Sequence, residues 1–399
     1  MYFPRDIEVS LRQNLESNLI LLILGARQVG KTSVLRKLYD NAIREEKKCF
    51  FFNLEDFSIR KKLDEHPFQI FQMTQLSPEE KQILFLDEIQ YLQNPSNFLK
   101  LIFDTYKDSV KLIVSGSSSF YIDQKFTDSL AGRKRIFYLY PLNFREFLVF
   151  KGQQDILSHL GNISSPLYVH EAERLFDEYC LFGGYPEIVL LKDPEEKKLR
   201  LADLGYDYVK KDVLEANVDN PEKYFYLLKI FANHSGELVN IHELSNTLGL
   251  STTAAQRYLY IMQKSFHVAL IRPFWKNIRK ELTKMQKVFF YDLGLRNHFL
   301  KNFTSLSERN DKGNYLENIV FRELLFRTAL EDIQFWRDTK KHEVDFVVEG
   351  KNALEVKFQG AKDTSLSSQV FRKIYPNIPI KFLKHEDVLQ YFYGEAESS

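Results

Sequence analysis

Residues 25–32 read Gly25-Ala26-Arg27-Gln28-Val29-Gly30-Lys31-Thr32, the spacing G-x-x-x-x-G-K-[ST]. The residue types define a phosphate chemistry. Two glycines let the loop, including Ala26, Arg27, Gln28 and Val29, close its backbone N–H groups around phosphate oxygens. Lys31 neutralises β/γ charge and the Thr32 hydroxyl reaches Mg²⁺. A helix that opens at Ser33 adds its positive N-terminal end. Further on, Ile83-Leu84-Phe85-Leu86-Asp87-Glu88 is an apolar run ending in two carboxylates. Asp87 would hold Mg²⁺ through water, and Glu88 would orient or deprotonate the attacking water. Leu112 to Ser117 ends a second apolar run in hydroxyls. There Ser115 is read either as a γ-phosphate sensor or as a strand-end hydrogen-bonding group. Together these residues imply a nucleoside triphosphate as ligand, Mg²⁺ as cofactor and hydrolysis as the reaction.

A second constellation lies near the C-terminus. In Glu343–Val348 and Ala353–Phe358 the apolar residues alternate, so Asp345, Glu355 and Lys357 fall on polar faces. An odd-length turn through Gly350 would set Asp345 opposite Glu355. Glu317 shares a helical register with Phe321 and Leu324 and points toward the same layer. Carboxylates at Glu317, Asp345 and Glu355 are candidate Mg²⁺ ligands, with Lys357 beside them for the charge of a developing phosphorane. The competing reading is an exposed, salt-bridged hairpin.

A third signal is basic. Ile241, Leu244 and Leu248 predict one amphipathic helix, Gly249 a turn, and Ser251 the cap of a second helix to about Lys264. Ala255, Tyr258, Leu259 and Met262 form its apolar stripe; Thr253, Gln256, Arg257, Tyr260 and Lys264 lie opposite. Residues 272–287 add Arg272, Lys276, Arg279, Lys280, Lys284 and Lys287 against Glu281. Helix-turn-helix plus basic hairpin is what a winged helix presents to double-stranded DNA. A lid whose basic residues face water is the alternative.

These residues need a scaffold. Apolar runs at 19–25, 48–54, 82–87, 110–115 and 135–140 predict strands buried on both faces, hence an α/β domain with a parallel sheet. Residues 143–235 have a helical pattern. The expected organisation is an ATPase core at 1–160, a helical lid at 161–235, a winged-helix-like module at 236–305 and an α/β domain at 306–399.

The motif order resembles a family of bacterial and archaeal AAA-type P-loop ATPases with a C-terminal domain of unknown function. The later motifs are Leu130-Ala131-Gly132-Arg133, Pro141-Leu142-Asn143-Phe144-Arg145-Glu146-Phe147 and Gly183-Gly184-Tyr185-Pro186. The resemblance implies that the nucleotide is ATP and that Pro186 packs near the adenine. It also implies that Arg133 can stabilise transition-state charge from a neighbouring subunit of a homo-oligomer; the alternative for Arg133 is an intramolecular ion pair. The C-terminal Asp…Glu-x-Lys pattern is similar to that of PD-(D/E)xK nucleases, and the family's last domain resembles the restriction-endonuclease fold. His342-Glu343-Val344 stands where that pattern has Pro before Asp.

Composition narrows the classes. Lys and Arg total 55 against 54 Asp and Glu, so any DNA contact must come from a local patch. Two cysteines, Cys49 and Cys180, exclude a disulfide scaffold and fit a reducing cytoplasm. No apolar run approaches the ~20 residues of a membrane span.

Overall fold

The computed structural model describes residues 2–117, 130–160, 166–275, 285–358 and 365–394. The chain packs as two units: Met1–Pro141 with Lys264–Phe266, and Leu142–Gln263 with His267–Ser399.

The first unit is built on a five-stranded parallel sheet in the order β2-β3-β4-β1-β5. The strands are β1 (Ile20–Leu24), β2 (Cys49–Asn53), β3 (Gln82–Asp87), β4 (Val110–Gly116) and β5 (Lys134–Tyr138). They coincide with the predicted apolar runs to within about two residues. Every residue of β1 is buried, as a central parallel strand covered on both faces requires. Helix Lys31–Arg44 follows β1 and buries Val34, Leu35, Leu38 and Ala42 at helical spacing. Helix Pro95–Tyr106 enters β4; the Asn94 side chain accepts from Asn97 N–H, and Pro95 sits in the first turn where its missing N–H costs nothing. Because β1 neighbours β4, and β4 neighbours β3, the ends of these three strands lie side by side.

The second unit opens with helices. Pro166–Phe182, Pro186–Leu190, Pro194–Glu215 and Pro221–Asn233 each begin on a proline, and Asp193 and Asn220 cap the last two. Its sheet has six strands in the order β11-β10-β9-β8-β6-β7. These are β6 (Val268–Pro273), β7 (Lys287–Phe290), β8 (Ile333–Arg337), β9 (Glu343–Val348), β10 (Asn352–Lys357) and β11 (Ile380–Lys384). β6 and β7 are antiparallel, and β6 pairs in parallel with β8 at Arg272–Gln334 and Pro273–Phe335. The hairpin assigned by sequence to 236–305 therefore shares one sheet with the strands assigned to 306–399. The first unit ends at Pro141, before the helices Phe144–Phe150 and Gln154–His159 that sequence had placed in the ATPase core.

Strand β8 was not predicted. It lies between β9 and β6, and the adjacent Phe335 and Trp336 are both buried, so no alternation betrays it. Trp336 packs with Val344, Val347, Ala353, Phe371, Tyr375 and Ile378 in the core beneath helix Leu366–Ile374. Among the described residues no helix is long and apolar enough to cross a membrane.

Candidate nucleotide site and C-terminal charge cluster

The phosphate loop leaves the C-terminal end of β1 where Leu139 N–H donates to Leu24 O at 2.7 Å. A Cβ on Gly25 would lie 2.0 Å from Leu139 O, so only glycine allows this approach. Gly30 has φ 97° and caps helix Lys31–Arg44. Lys31 is only 4% exposed, and its Nζ donates to Gly25 O at 3.1 Å and Ala26 O at 2.7 Å. The ammonium thus sits inside its own loop, held by neutral carbonyls. Sequence reasoning passed over Arg5. Its buried guanidinium donates to Val29 O at 2.7 Å and Tyr140 O at 2.8 Å, tying the loop to the segment after β5. No motif surrounds Arg5, so nothing in the spacing signals it.

Asp87, at the end of β3, is 2% exposed. Ser115 donates to Asp87 Oδ1 and accepts from the Glu88 N–H at 3.0 Å. Of its two readings, the hydroxyl is engaged as a strand-end hydrogen-bonding group. The Thr32 hydroxyl also bonds to Asp87. Burial pushes the Asp87 carboxyl up, against the pull of Ser115, Thr32 and Lys31. Glu88 has φ 58°, a conformation rare outside glycine and asparagine, which turns the chain at the strand end. Burial would raise Glu88, but Lys31, Gln90 and Ser117 hold it below its ordinary value, so it is ionised. The Gln90 amide donates to both Glu88 and Ser117 Oγ, the latter at 2.8 Å, and so fixes the carboxylate; it too was missed by sequence. A buried carboxylate bonded to a hydroxyl supplies the hard oxygen donors that Mg²⁺ takes, so the residues fit that ion.

Arg133 makes a two-pronged ion pair with Asp104, Nε to Oδ1 at 2.6 Å and Nη2 to Oδ2 at 3.2 Å, at the surface. Pro186 belongs to the second unit, at the start of helix Pro186–Leu190. Its glycines serve packing there. A Cβ on Gly183 would meet Asp292 Oδ1 at 2.3 Å, and one on Gly184 would meet Leu142 O at 2.3 Å. Asp292 accepts from Gly184 N–H at 2.8 Å and from Arg322 at 3.2 Å; Arg322 also donates to Leu142 O and the Tyr179 hydroxyl.

In the C-terminal sheet, β9 and β10 pair as Ala353–Val347 and Leu354–Phe346. Continuing that register brings Glu355 level with Asp345. There the ladder opens, and Asp345 Oδ2 accepts the Val356 N–H at 2.7 Å. Lys357 pairs with Glu355 at 2.8 Å. Glu317 reaches the same place from helix Lys312–Leu325.

The residue that sequence reasoning misassigned is Lys287. It was counted among the basic groups offered to DNA, but it is 2% exposed. From β7 its ammonium meets Glu343 Oε1 at 2.6 Å, Glu317 Oε2 at 3.1 Å and Asp345 Oδ1 at 3.9 Å. Burial pulls Lys287 down, but Glu317, Asp345 and Glu343 together carry it above its ordinary value. Burial lifts Glu317 to about 8 and Glu355 to about 7, and raises Asp345 as well. Among the described residues no three or more Asp, Glu, His or Cys are grouped to hold a metal.

The helix-turn-helix elements are Ile241–Leu248 and Thr252–Lys264, with Gly249 left-handed at φ 57° between them. Ser251 Oγ accepts from Ala254 N–H at 3.1 Å, the expected cap. Ala255, Tyr258, Leu259 and Met262 are buried; Thr253, Gln256, Arg257 and Tyr260 are exposed. Arg257 also donates to Ala216 O at 2.8 Å. Arg272 is exposed on β6, while Lys276, Arg279, Lys280 and Lys284 lie outside the described residues.

A phosphate loop after β1 and an acidic pair after β3 of a parallel sheet define a nucleotide-binding domain of the AAA-type ATPase class. Residues 17–148 match the family model described as AAA domain. Residues 173–306 and 312–394 match two domains of unknown function, DUF8612 and DUF4143. Uncharacterized protein MJ1544 of Methanocaldococcus jannaschii is 30% identical over 87% of this chain and 75% of its own length, and the chain belongs to the same family. An uncharacterized protein of Haemophilus influenzae is 28% identical over 83% of this chain and 80% of its own. The solved structure of AMPPCP-bound DnaA from Aquifex aeolicus is 15% identical, covering 66% of this chain and 89% of that one. Its TM-score of 0.32 is too slight a likeness to carry an argument.

Proposed function

We propose that the chain binds ATP with Mg²⁺, hydrolyses it, and uses turnover as a switch in a DNA-associated protein. The observation that carries this reading is the gathering of Lys31, Thr32, Asp87, Ser115 and Glu88 at the C-terminal ends of β1, β3 and β4. Lys31 and the loop N–H groups hold the phosphates. Thr32 and Asp87 would hold Mg²⁺, which when bound screens phosphate charge. Ionised Glu88, fixed by Gln90, takes a proton from the attacking water. Arg133 acting on a neighbouring copy's nucleotide requires a homo-oligomer, and Pro186 against the adenine belongs to the same proposal. The free cysteines Cys49 and Cys180 suit a cytoplasmic location. Glu88→Gln tests the core of the reading: ATP should still bind while turnover falls by about 10²–10⁴-fold. Wild-type turnover in that variant would move the base elsewhere.

DNA association rests on the exposed face Thr253, Gln256, Arg257 and Tyr260 and on the basic residues between β6 and β7. Binding to duplex DNA should weaken steeply with salt, and charge reversal at Arg279, Lys280 and Lys284 should weaken it further. An intact chain that binds no DNA at ~50 mM salt would favour a lid instead. A second reading, an ATP-gated metal-dependent nuclease, draws support from the register that sets Asp345 level with Glu355 beside Lys357.

A further inference from the structure

We infer that Lys287 is the resident cation of the C-terminal carboxylate cluster: its ammonium fills the place a divalent ion would need, and the cluster holds no metal. Glu317, Glu343 and Asp345 come from two elements, helix Lys312–Leu325 and β9, and converge on one Nζ delivered by a third, β7. Most of the remaining acceptors are engaged, while Glu355 Oε2 is buried without a hydrogen-bond partner among the described residues. Arg337 pairs with Glu343 at 2.9 Å, the Val356 N–H bonds Asp345, and Lys357 pairs with Glu355. Four carboxylates therefore face Lys287, Arg337 and Lys357, a set close to neutral.

Sterics agree with charge. A Cβ on Gly236 would lie 3.0 Å from Glu317 Oε2, so that carboxylate is backed by main chain and points toward the lysine. The Phe335 ring lies 5.6 Å from the ammonium on its apolar side. A Mg²⁺ or Mn²⁺ ion takes oxygens at about 2.0–2.2 Å and would need the carboxylates that Lys287 occupies, with a full positive charge only a few ångströms away. The cluster then acts as a pin that joins β7 to the helix and β9. The nuclease reading requires this cluster to bind metal, so the two exclude one another, while the ATP reading is independent of both.

The test uses the full-length, nucleotide-free protein and Mn²⁺ as the probe, read by electron paramagnetic resonance and by melting temperature. Wild type should show no Mn²⁺ site that depends on Asp345, and EDTA should leave its melting unchanged. Lys287→Gln keeps length and polarity but removes the charge. It should gain Mn²⁺ affinity by at least about 10-fold, about 1.4 kcal/mol, and melt higher with Mn²⁺ than without. Adding Asp345→Asn to Lys287→Gln should abolish the gain. If Lys287→Gln does not fold, Lys287→Gln/Glu343→Gln removes one charge of each sign, leaves Glu317, Asp345 and Glu355 to take the ion, and should show the same gain. A wild-type Mn²⁺ site that Asp345→Asn removes overturns the inference. So does a folded lysine variant that gains no Mn²⁺ affinity.

Discussion

Two buried lysines, one in each unit, show how the same side chain is prepared for opposite ends. Lys31 is 4% exposed and its ammonium rests on the carbonyls of Gly25 and Ala26. Lys287 is 2% exposed and its ammonium rests on the carboxylates of Glu317 and Glu343. Carbonyls hold the Lys31 ammonium inside the loop, and its charge also pulls on the Asp87 and Glu88 carboxyls, at the place where a phosphate and its metal would arrive. Carboxylate partners cancel the charge on the spot, and what remains is cohesion between elements. Direct contact with carbonyls at Lys31, against direct contact with carboxylates at Lys287, distinguishes the lysine offered to a ligand from the one used by the fold.

The largest effect should come from removing each lysine in turn. Lys287→Ala leaves Glu317, Glu343 and Asp345 facing one another without their cation, and breaking a buried pair of this kind costs about 3–5 kcal/mol. Denaturant titration should show that loss, with ATP affinity per folded molecule unchanged. Lys31→Ala should do the reverse, losing about 100-fold or more in ATP affinity, about 2.7 kcal/mol, with a smaller change in stability. If both variants lose stability equally and neither loses ATP, the distinction between the two lysines is wrong.

The two sites differ in how far the sequence betrays them. The phosphate loop is contiguous, its eight residues run from the end of a buried strand into the first turn of a helix, and the five predicted strands fall where the sheet has them. Parity within Glu343–Val348 and Ala353–Phe358 is enough to put Asp345 and Glu355 on polar faces, since a side-chain period of two depends only on local order, while their level register depends on the turn through Gly350 being odd in length. Lys287 was illegible because its partners sit 30, 56 and 58 residues away, on a helix and on a strand of a sheet whose continuity from β6 to β8 no local pattern encodes. A basic run invites a reading as surface, and only the tertiary pairing reverses it for this one member. Gln90 and Arg5 were missed for the same reason: a side chain that positions another group has no spacing rule of its own.

Arg5 holds the loop around Lys31 from its outer side. It braces the Val29 carbonyl from outside, so the cradle that holds Lys31 is preorganised before a nucleotide arrives. Arg5→Ala should raise the ATP Kd by about 10-fold, some 1.4 kcal/mol, with a much smaller change in the rate at saturating ATP. Arg5→Lys, which can keep one of the two bonds, should recover part of the affinity. An effect on turnover alone, with binding intact, would place Arg5 in the reaction and not behind the loop.

Arg133 should show the smallest effect on the fold, and it shares a feature with each of the two lysines. Like Lys287 it is paired with a carboxylate, Asp104, but like a ligand-binding cation it stands where water and a second chain can reach it. Exposed ion pairs are compensated by solvent, so Arg133→Ala should leave the melting temperature unchanged. The informative measurement is ATPase rate per chain against protein concentration. If Arg133 leaves Asp104 to meet a neighbouring copy's nucleotide, wild-type activity should rise with concentration and Arg133→Ala should flatten that rise. Asp104→Ala, which removes that ion pair, should preserve or enhance it. If Arg133→Ala matches wild type at every concentration, the pair with Asp104 is its whole role. Carboxylate pairing would then mark a structural cation at the surface as well as in the interior.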